Sequence, residues 1–184
     1  MVAAMTSADL RTTVERQVAG LRATDEHTAE TQRRFLADLG RLAHPFDEHA
    51  DLTHVTGTAV VISDFGVLLH RHKRLAIWVG PGGHLNPGET PWDAAVRETT
   101  EETGIRGRHP AETPTLLHVD VHHAGLDHLH LDLRYLLVAE GVAPKPGPGE
   151  SQAVGWYAEP EALERTDNSY RPAVASGFEA VGSL

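Results

Sequence analysis

Residues 83–105 read Gly83-His84-Leu85-Asn86-Pro87-Gly88-Glu89-Thr90-Pro91-Trp92-Asp93-Ala94-Ala95-Val96-Arg97-Glu98-Thr99-Thr100-Glu101-Glu102-Thr103-Gly104-Ile105. The stretch describes one helix and the loop that feeds it. Thr90 can accept from the free N–H groups of a first turn, and Pro91 fits the first helical position, where its missing N–H is no loss. Asp93, three residues after Thr90, makes a near capping box and suits the positive end of the helix dipole. Gly104 stands where a left-handed C-terminal cap is wanted. Together these signals predict a helix over Pro91–Thr103. Trp92, Ala95, Val96, Thr99 and Thr103 recur at spacings of three and four and form its buried stripe.

Glu101 and Glu102 follow Glu98 by three and four residues, so the three carboxylates share one patch of that helix. Such a patch repels itself unless a cation occupies it. Hard oxygen donors suit Mg²⁺ or Mn²⁺, whereas Zn²⁺ would want His or Cys. Mg²⁺ takes few protein carboxylates and completes its shell with water and substrate phosphates, which points to phosphate chemistry. Arg97 lies beside the patch and can pair with Glu89, fixing the preceding loop. The competing reading is a solvated face with surplus glutamates. Against it stand the scarcity of basic i+4 partners and the flanking proline-glycine loop.

The pattern resembles the signature of the Nudix hydrolase family: Gly, five residues, Glu, seven residues, Arg-Glu, an aliphatic residue, any residue, Glu-Glu, any residue, Gly, an aliphatic residue. Gly83, Glu89, Arg97, Glu98, Glu101, Glu102, Gly104 and Ile105 match. Thr99 departs, because the family normally carries an aliphatic residue there. Its methyl still reaches the core, so the departure concerns packing more than chemistry. Trp78-Val79-Gly80-Pro81-Gly82-Gly83 looks like the strand that enters this box. The resemblance implies an α/β/α sandwich with a mixed sheet and hydrolysis of a diphosphate linked to another group, with Mg²⁺ or Mn²⁺. It also implies that Glu98, Glu101 and Glu102 hold metal and that Arg97 and Glu89 form a supporting ion pair. A metal-bound water would attack phosphorus, with a carboxylate taking its proton.

The chain has 184 residues, enough for one domain with a full core. Sixteen basic residues against 26 acidic ones give a net charge of −10, which disfavours affinity for duplex nucleic acid. A small nucleotide is still compatible, since a bound metal reverses the local sign. There is no cysteine, hence no thiolate ligand and no cysteine nucleophile. No apolar run is long enough to span a bilayer, and no signal core is evident, so no membrane partner is expected and the compartment is read as cytoplasmic.

Upstream, Leu10, Val14, Val18 and Leu21 have helical spacing, as do Phe35, Leu36, Leu39 and Leu42. Residues 7–42 therefore predict two helices broken near Ala23–Thr24. The expected layout is a helical extension over 1–50 and a Nudix hydrolase domain over 51–184. The extension reads as a packing or homodimerisation appendage, with a lid as the rival. Thr58–Ile62 and Val67–His70 predict a hairpin around Ser63–Gly66. The run His70-Arg71-His72-Lys73-Arg74 is a solvated hairpin end or, with Arg71 and Lys73, a phosphate clamp.

Leu116–His122 and His128–Leu137 alternate as strands around Ala124-Gly125. Their polar faces carry His118, Asp120 and His122, and His128, His130, Asp132 and Arg134. Pairing His122 with His128 would set Asp120 opposite His130 and His118 opposite Asp132. That face is expected to line the substrate cleft, with His130 and Arg134 touching substrate beyond the metal-bound phosphates. The rival is a solvated sheet face. Residues 144–149 form a proline-glycine linker before Glu150, which by family resemblance is a candidate metal ligand or base. Val154–Tyr157 predicts a last strand and a helix follows from about Pro160.

The reading is a divalent-metal-dependent hydrolase of the diphosphate linkage in a nucleotide or similar nucleoside-diphosphate-type small molecule. An isoprenoid-diphosphate isomerase shares the fold, but its chemistry relies on a cysteine that this chain lacks. A non-catalytic binding module typically loses the box glutamates, and here all of them stand.

Overall fold

The computed structural model describes residues 5–125 and 128–183. The outer ends of the two expected segments, residues 1–4 and 184, lie outside the described residues. In chain order the elements are α1 (Ser7–Gly20), α2 (Glu26–Arg41), β1 (Thr53–Ser63), β2 (Gly66–Arg71), β3 (Trp78–Val79), β4 (Gly82–His84), α3 (Pro91–Thr103), β5 (Leu116–Ala124), β6 (His128–Val138), β7 (Val154–Tyr157), α4 (Glu159–Arg165) and α5 (Arg171–Val181).

The strands form one mixed sheet in the order β3-β2-β1-β6-β5, with β4 added to β1 and β7 to β2. Only β1 and β6 pair in parallel among the named strand pairs. Both are buried on two faces, as the central parallel pair of such a sheet must be. On one face Val55, Ala59 and Val61 of β1 join Leu131, Leu133, Tyr135 and Leu137 of β6 beneath Ala94 and Ala95 of α3. Leu10, Val14 and Val18 of α1 and Phe35 and Leu39 of α2 belong to that same core. On the other face Val60, Ile62 and Leu136 meet Ala162 of α4 and Ala173 and Val174 of α5. The result is an α/β/α sandwich with a mixed sheet, preceded by N-terminal helices.

Helix α3 has the limits that its caps predict. Thr90 accepts from Asp93 N–H at 3.2 Å, and Gly104 closes the helix at φ 72°, in the left-handed region. Its stripe differs in detail: Ala94 is buried with Ala95, Thr99 and Thr103, while Trp92 and Val96 are half-buried. Helix α3 crosses β1 at Gly57, where an added Cβ would sit 2.1 Å from the Pro91 carbonyl oxygen. This close approach presses the start of α3 onto the sheet.

The β5–β6 hairpin has a different register from the one expected. Ala124 pairs with His128, His122 with His130, Asp120 with Asp132 and His118 with Arg134. Strand β5 continues to Ala124, past the His122 that the alternation suggested, and is followed by Gly125 at φ +87°, in the region that favours glycine. A shift of two residues preserves which face each side chain occupies; a shift of one would have inverted it. The polar face therefore survives with new opposite partners.

Candidate functional site

The box is organised around one guanidinium. Arg97 donates from Nε and Nη2 to the two oxygens of Glu89, both at 2.9 Å. Nη2 also reaches the His84 carbonyl at 2.9 Å, and Nη1 reaches Glu98 at 2.7 Å and Glu101 at 3.0 Å. All five N–H groups are thereby used. Glu89 in turn accepts from Asn86 N–H at 2.8 Å, so the Pro87-Gly88 loop is tied to α3 from both sides.

Two carboxylates reach strand β4. Glu102 accepts from Gly82 N–H at 3.0 Å, its one hydrogen bond among the described residues. A Cβ added at Gly83 would lie 2.5 Å from Glu98 Oε1, so a side chain there would push that carboxylate away from the backbone. Burial pushes the Glu102 carboxyl up to about 7; the Gly82 N–H opposes this, and the charges of Glu98 and Glu150 reinforce it. Burial also raises Glu98, against the pull of Arg97. Glu101 is different: its side chain is 59 % exposed and is tied to Arg97. Glu150 sits at the rim, paired with Lys73 at 3.0 Å. Half-buried, under-donated carboxylates of hard oxygen type fit Mg²⁺ or Mn²⁺.

Next to Gly82 and Gly83 opens a cleft of about 300 Å³ whose lining includes His70, Arg74, His122, His130 and Asp132. Its floor is the polar face of β1, β6 and β5. The parallel register sets His54, Thr56 and Thr58 of β1 beside His130, Asp132 and Arg134 of β6. Thr56 and Thr58 both donate to Asp132 Oδ1, at 3.0 and 2.7 Å. The polar face therefore turns toward the same opening as Gly82 and Gly83.

Arg134 is 3 % exposed and already committed. It donates to Asp132 at 2.9 Å, to Asp120 at 2.9 Å, and to the backbone and hydroxyl oxygens of Ser169. It separates the opposed Asp120 and Asp132, which would otherwise repel across the pair. His122 bonds Asp120 at 3.1 Å. Burial lowers the His122 imidazole, but Asp120 and Asp132 outweigh it and the net shift is upward. Burial, with the charge of His122 added, drops His130 to about 3.

Of the basic run, Arg71 bonds the Ala76 carbonyl at 3.2 Å and Lys73 holds the Gly149–Glu150 loop. His70 is buried, with Nε2 3.6 Å from Glu102. Arg74 lines the cleft and makes no ion pair among the described residues; its guanidinium would lie 3.7 Å from a Cβ at Gly125, across the mouth. Sequence reasoning singled out Arg71 and Lys73, held Arg74 only as the end of the same basic run, and passed over His54, His84, Thr56, Thr58 and Ser169. The His84 signal lay inside the quoted box; Ser169 reaches the face only through the fold, 49 residues from Asp120.

A family model described as NUDIX domain matches residues 53–176. Among curated proteins, a putative 8-oxo-dGTP diphosphatase of Bacillus subtilis (strain 168) is 50 % identical over 38 residues, 21 % of this chain and 26 % of that protein. An asymmetrical bis(5'-nucleosyl)-tetraphosphatase of Caenorhabditis elegans is 57 % identical over 28 residues, 15 % of this chain and 20 % of that protein. The chain thus matches about a quarter or less of the length of these relatives. Among solved structures, a NUDIX family hydrolase from Clostridium perfringens has a TM-score of 0.59 at 25 % identity, covering 71 % of this chain and 97 % of that one. A MutT NUDIX hydrolase from Burkholderia pseudomallei has a TM-score of 0.55 at 28 % identity, covering 67 % and 97 %.

Proposed function

The chain belongs to the NUDIX family, and from that premise we propose that it is a divalent-metal-dependent pyrophosphohydrolase acting on a nucleoside-diphosphate-type small molecule. The observation that carries this reading is the pair Glu98 and Glu102: half-buried, drawn onto Gly82–Gly83, and both raised by desolvation, Glu102 to about 7. Residues 51–184 are the catalytic unit in this proposal, with residues 1–50 as its helical extension.

Glu98 and Glu102 hold the metal, with the more exposed Glu101 completing the set and Glu150 available from the rim. When bound, Mg²⁺ or Mn²⁺ supplies Lewis-acid polarisation of the phosphoryl oxygen and eases deprotonation of water. The chain's own work is positional. Arg97 locks Glu89, the His84 carbonyl, Glu98 and Glu101 into one geometry. A carboxylate of this group takes the proton of the attacking water. Arg74 meets phosphate charge from across the cleft, with Lys73 as a second cation and Arg71 at the end of β2. His130 faces the part of the substrate beyond the phosphates. Arg134 serves by holding Asp120 and Asp132 in the cleft floor.

The putative 8-oxo-dGTP diphosphatase and the bis(5'-nucleosyl)-tetraphosphatase among the relatives motivate the substrate class. A panel of diphosphate compounds with Mg²⁺ or Mn²⁺, with products identified by mass, gives the substrate and the bond broken. Glu98→Gln and Glu102→Gln keep shape and remove charge, and each is expected to lower the rate at least about tenfold, the equivalent of ~1.4 kcal/mol in the barrier. Near-wild-type turnover in both folded variants would sink the assignment. Arg74→Ala should raise KM more than it lowers kcat.

A further inference from the structure

Four histidines converge beside the box without any part in the metal site just described; for His130, ligation here would replace the substrate-facing role proposed above. His54 opens β1, His84 ends β4, and His128 and His130 open β6. The parallel register places His54 directly beside His130, and β4 pairs with β1 so that His84 faces Thr56, a diagonal neighbour of His54. Ring centroids of His54 lie 4.9 Å from His84, 5.3 Å from His128 and 5.0 Å from His130. One ring nitrogen from each of the four falls within 4.8 Å of all the others.

The hydrogen bonds around the cluster select ring nitrogens for it. His54 is fully buried, and its Nδ1 lies 3.0 Å from the Asp51 carbonyl oxygen. A carbonyl only accepts, so Nδ1 carries the hydrogen and the neutral ring keeps a lone pair on Nε2. That Nε2 is buried with no hydrogen-bond partner among the described residues. His84 repeats the arrangement: its Nδ1 lies 2.8 Å from the Glu48 carboxylate, which leaves Nε2 as the lone-pair nitrogen. His84 Nε2 then points at His130 Nε2, 3.1 Å away. An outer carbonyl on one histidine and an outer carboxylate on another are the supports that orient imidazoles toward a metal.

We propose that His54, His84, His128 and His130 form a structural Zn²⁺ site, distinct from the carboxylate site on α3. Imidazole donors suit zinc, and four protein ligands make a closed tetrahedral site rather than a catalytic one. At Zn–N of ~2.0–2.1 Å, tetrahedral nitrogens stand ~3.3–3.4 Å apart. The His84–His130 spacing is near that already, and no pair needs to close by more than roughly 1.5 Å. The ion would accept the orphaned lone pair of His54 and pin β4, which carries Gly82 and Gly83, to the ends of β1 and β6. The competing arrangement is a direct His130-to-His84 hydrogen bond with His54 Nε2 left unpaired.

The test uses the full chain purified without a polyhistidine tag and stripped with a chelator. Zinc is titrated by calorimetry, and its retention through gel filtration in excess Mg²⁺ is measured by elemental analysis. The expected result is one equivalent of Zn²⁺ retained, a higher melting temperature with zinc, and the visible absorption of tetrahedral Co²⁺ on substitution. His128→Ala, at the hairpin end, and His130→Gln should each weaken zinc binding at least tenfold and abolish the thermal shift. Glu98→Gln and Glu102→Gln should leave zinc binding unchanged, so the outcome does not depend on hydrolysis. Absence of stoichiometric zinc in the folded wild type overturns the proposal. So does zinc binding that both histidine variants preserve, or that the glutamate variants abolish.

Discussion

Thr99 stands where its family normally carries an aliphatic residue, fully buried in the stripe of α3. Its methyl packs while its hydroxyl donates to the Ala95 carbonyl at 2.7 Å, so no polar group is orphaned. Thr99→Val removes a hydroxyl whose acceptor is already the partner of a helix N–H. The change should stay within about 1 kcal/mol in stability and leave turnover near wild type, checked by thermal melts and initial rates. A large loss of activity would give Thr99 a role in the site that its packing does not predict. Gly57 is the opposite case. An added Cβ would collide with the Pro91 backbone, which has no flexible end to move aside. Gly57→Ala should destabilise by roughly 1–3 kcal/mol or more, the scale of overpacking, measured by chemical denaturation.

At the scale of elements, the β5–β6 hairpin is held by a buried charge network and not by apolar packing on its polar face. Arg134 has two carboxylates and Ser169 as partners, so removing it strands Asp120 and Asp132 together. Arg134→Met should cost ~3–5 kcal/mol, the usual penalty for breaking a buried pair from one side. A near-neutral denaturation midpoint would mean that the network relaxes or takes up a counter-ion. The same network governs acid stability. Burial, and then the charge of Arg134, lowers the His118 imidazole to about 4. A histidine depressed in the folded state binds fewer protons there than when unfolded. Its effect is absent above the unfolded value of 6.5, and stability falls as pH drops from about 6.5 toward 4. At pH 5 the loss attributable to His118 is about 2 kcal/mol. His118→Gln should reduce the fall in melting temperature between pH 7.5 and pH 5 without abolishing it, since His70 and His130 are depressed as well; an unchanged slope would assign the acid sensitivity to those two.

For the whole molecule, α1 and α2 are not a separate layer. Leu10, Val14, Val18, Phe35 and Leu39 belong to the same core as the sheet and α3, and Gln17 accepts from the Tyr135 hydroxyl at 2.9 Å. Burying each such apolar side chain is worth about 1.5–3 kcal/mol, while a domain's entire stability is about 5–15 kcal/mol. Deleting residues 1–42 should therefore yield an unfolded or dye-binding, aggregating product, seen by circular dichroism and hydrophobic-dye fluorescence. A cooperatively folded truncation would favour the lid reading of this extension over a packing one.

Local rules sufficed wherever the determining contacts lie within one turn or one strand. Thr90-Pro91 and Gly104 set both ends of α3, Arg97 is spaced to reach Glu89, and strand alternation assigned His118, Asp120, His122, His130 and Arg134 to one face. The box pattern, being local, carried the family. What alternation could not supply was register, because every shift by two leaves the same pattern; the fold pairs Ala124 with His128. Nor could spacing reveal that Arg134 is already saturated, since Asp120 and Ser169 come from other elements. The meeting of His54, His84, His128 and His130 had the same origin: three separate strands brought together by a parallel pairing that leaves no periodic trace in the chain. The amino-acid sequence by itself determined the helix, the carboxylate patch and the face of each strand residue. Only the tertiary structure decided who sits opposite whom, because cross-strand and cross-layer contacts depend on distances through space that no periodicity along the chain encodes.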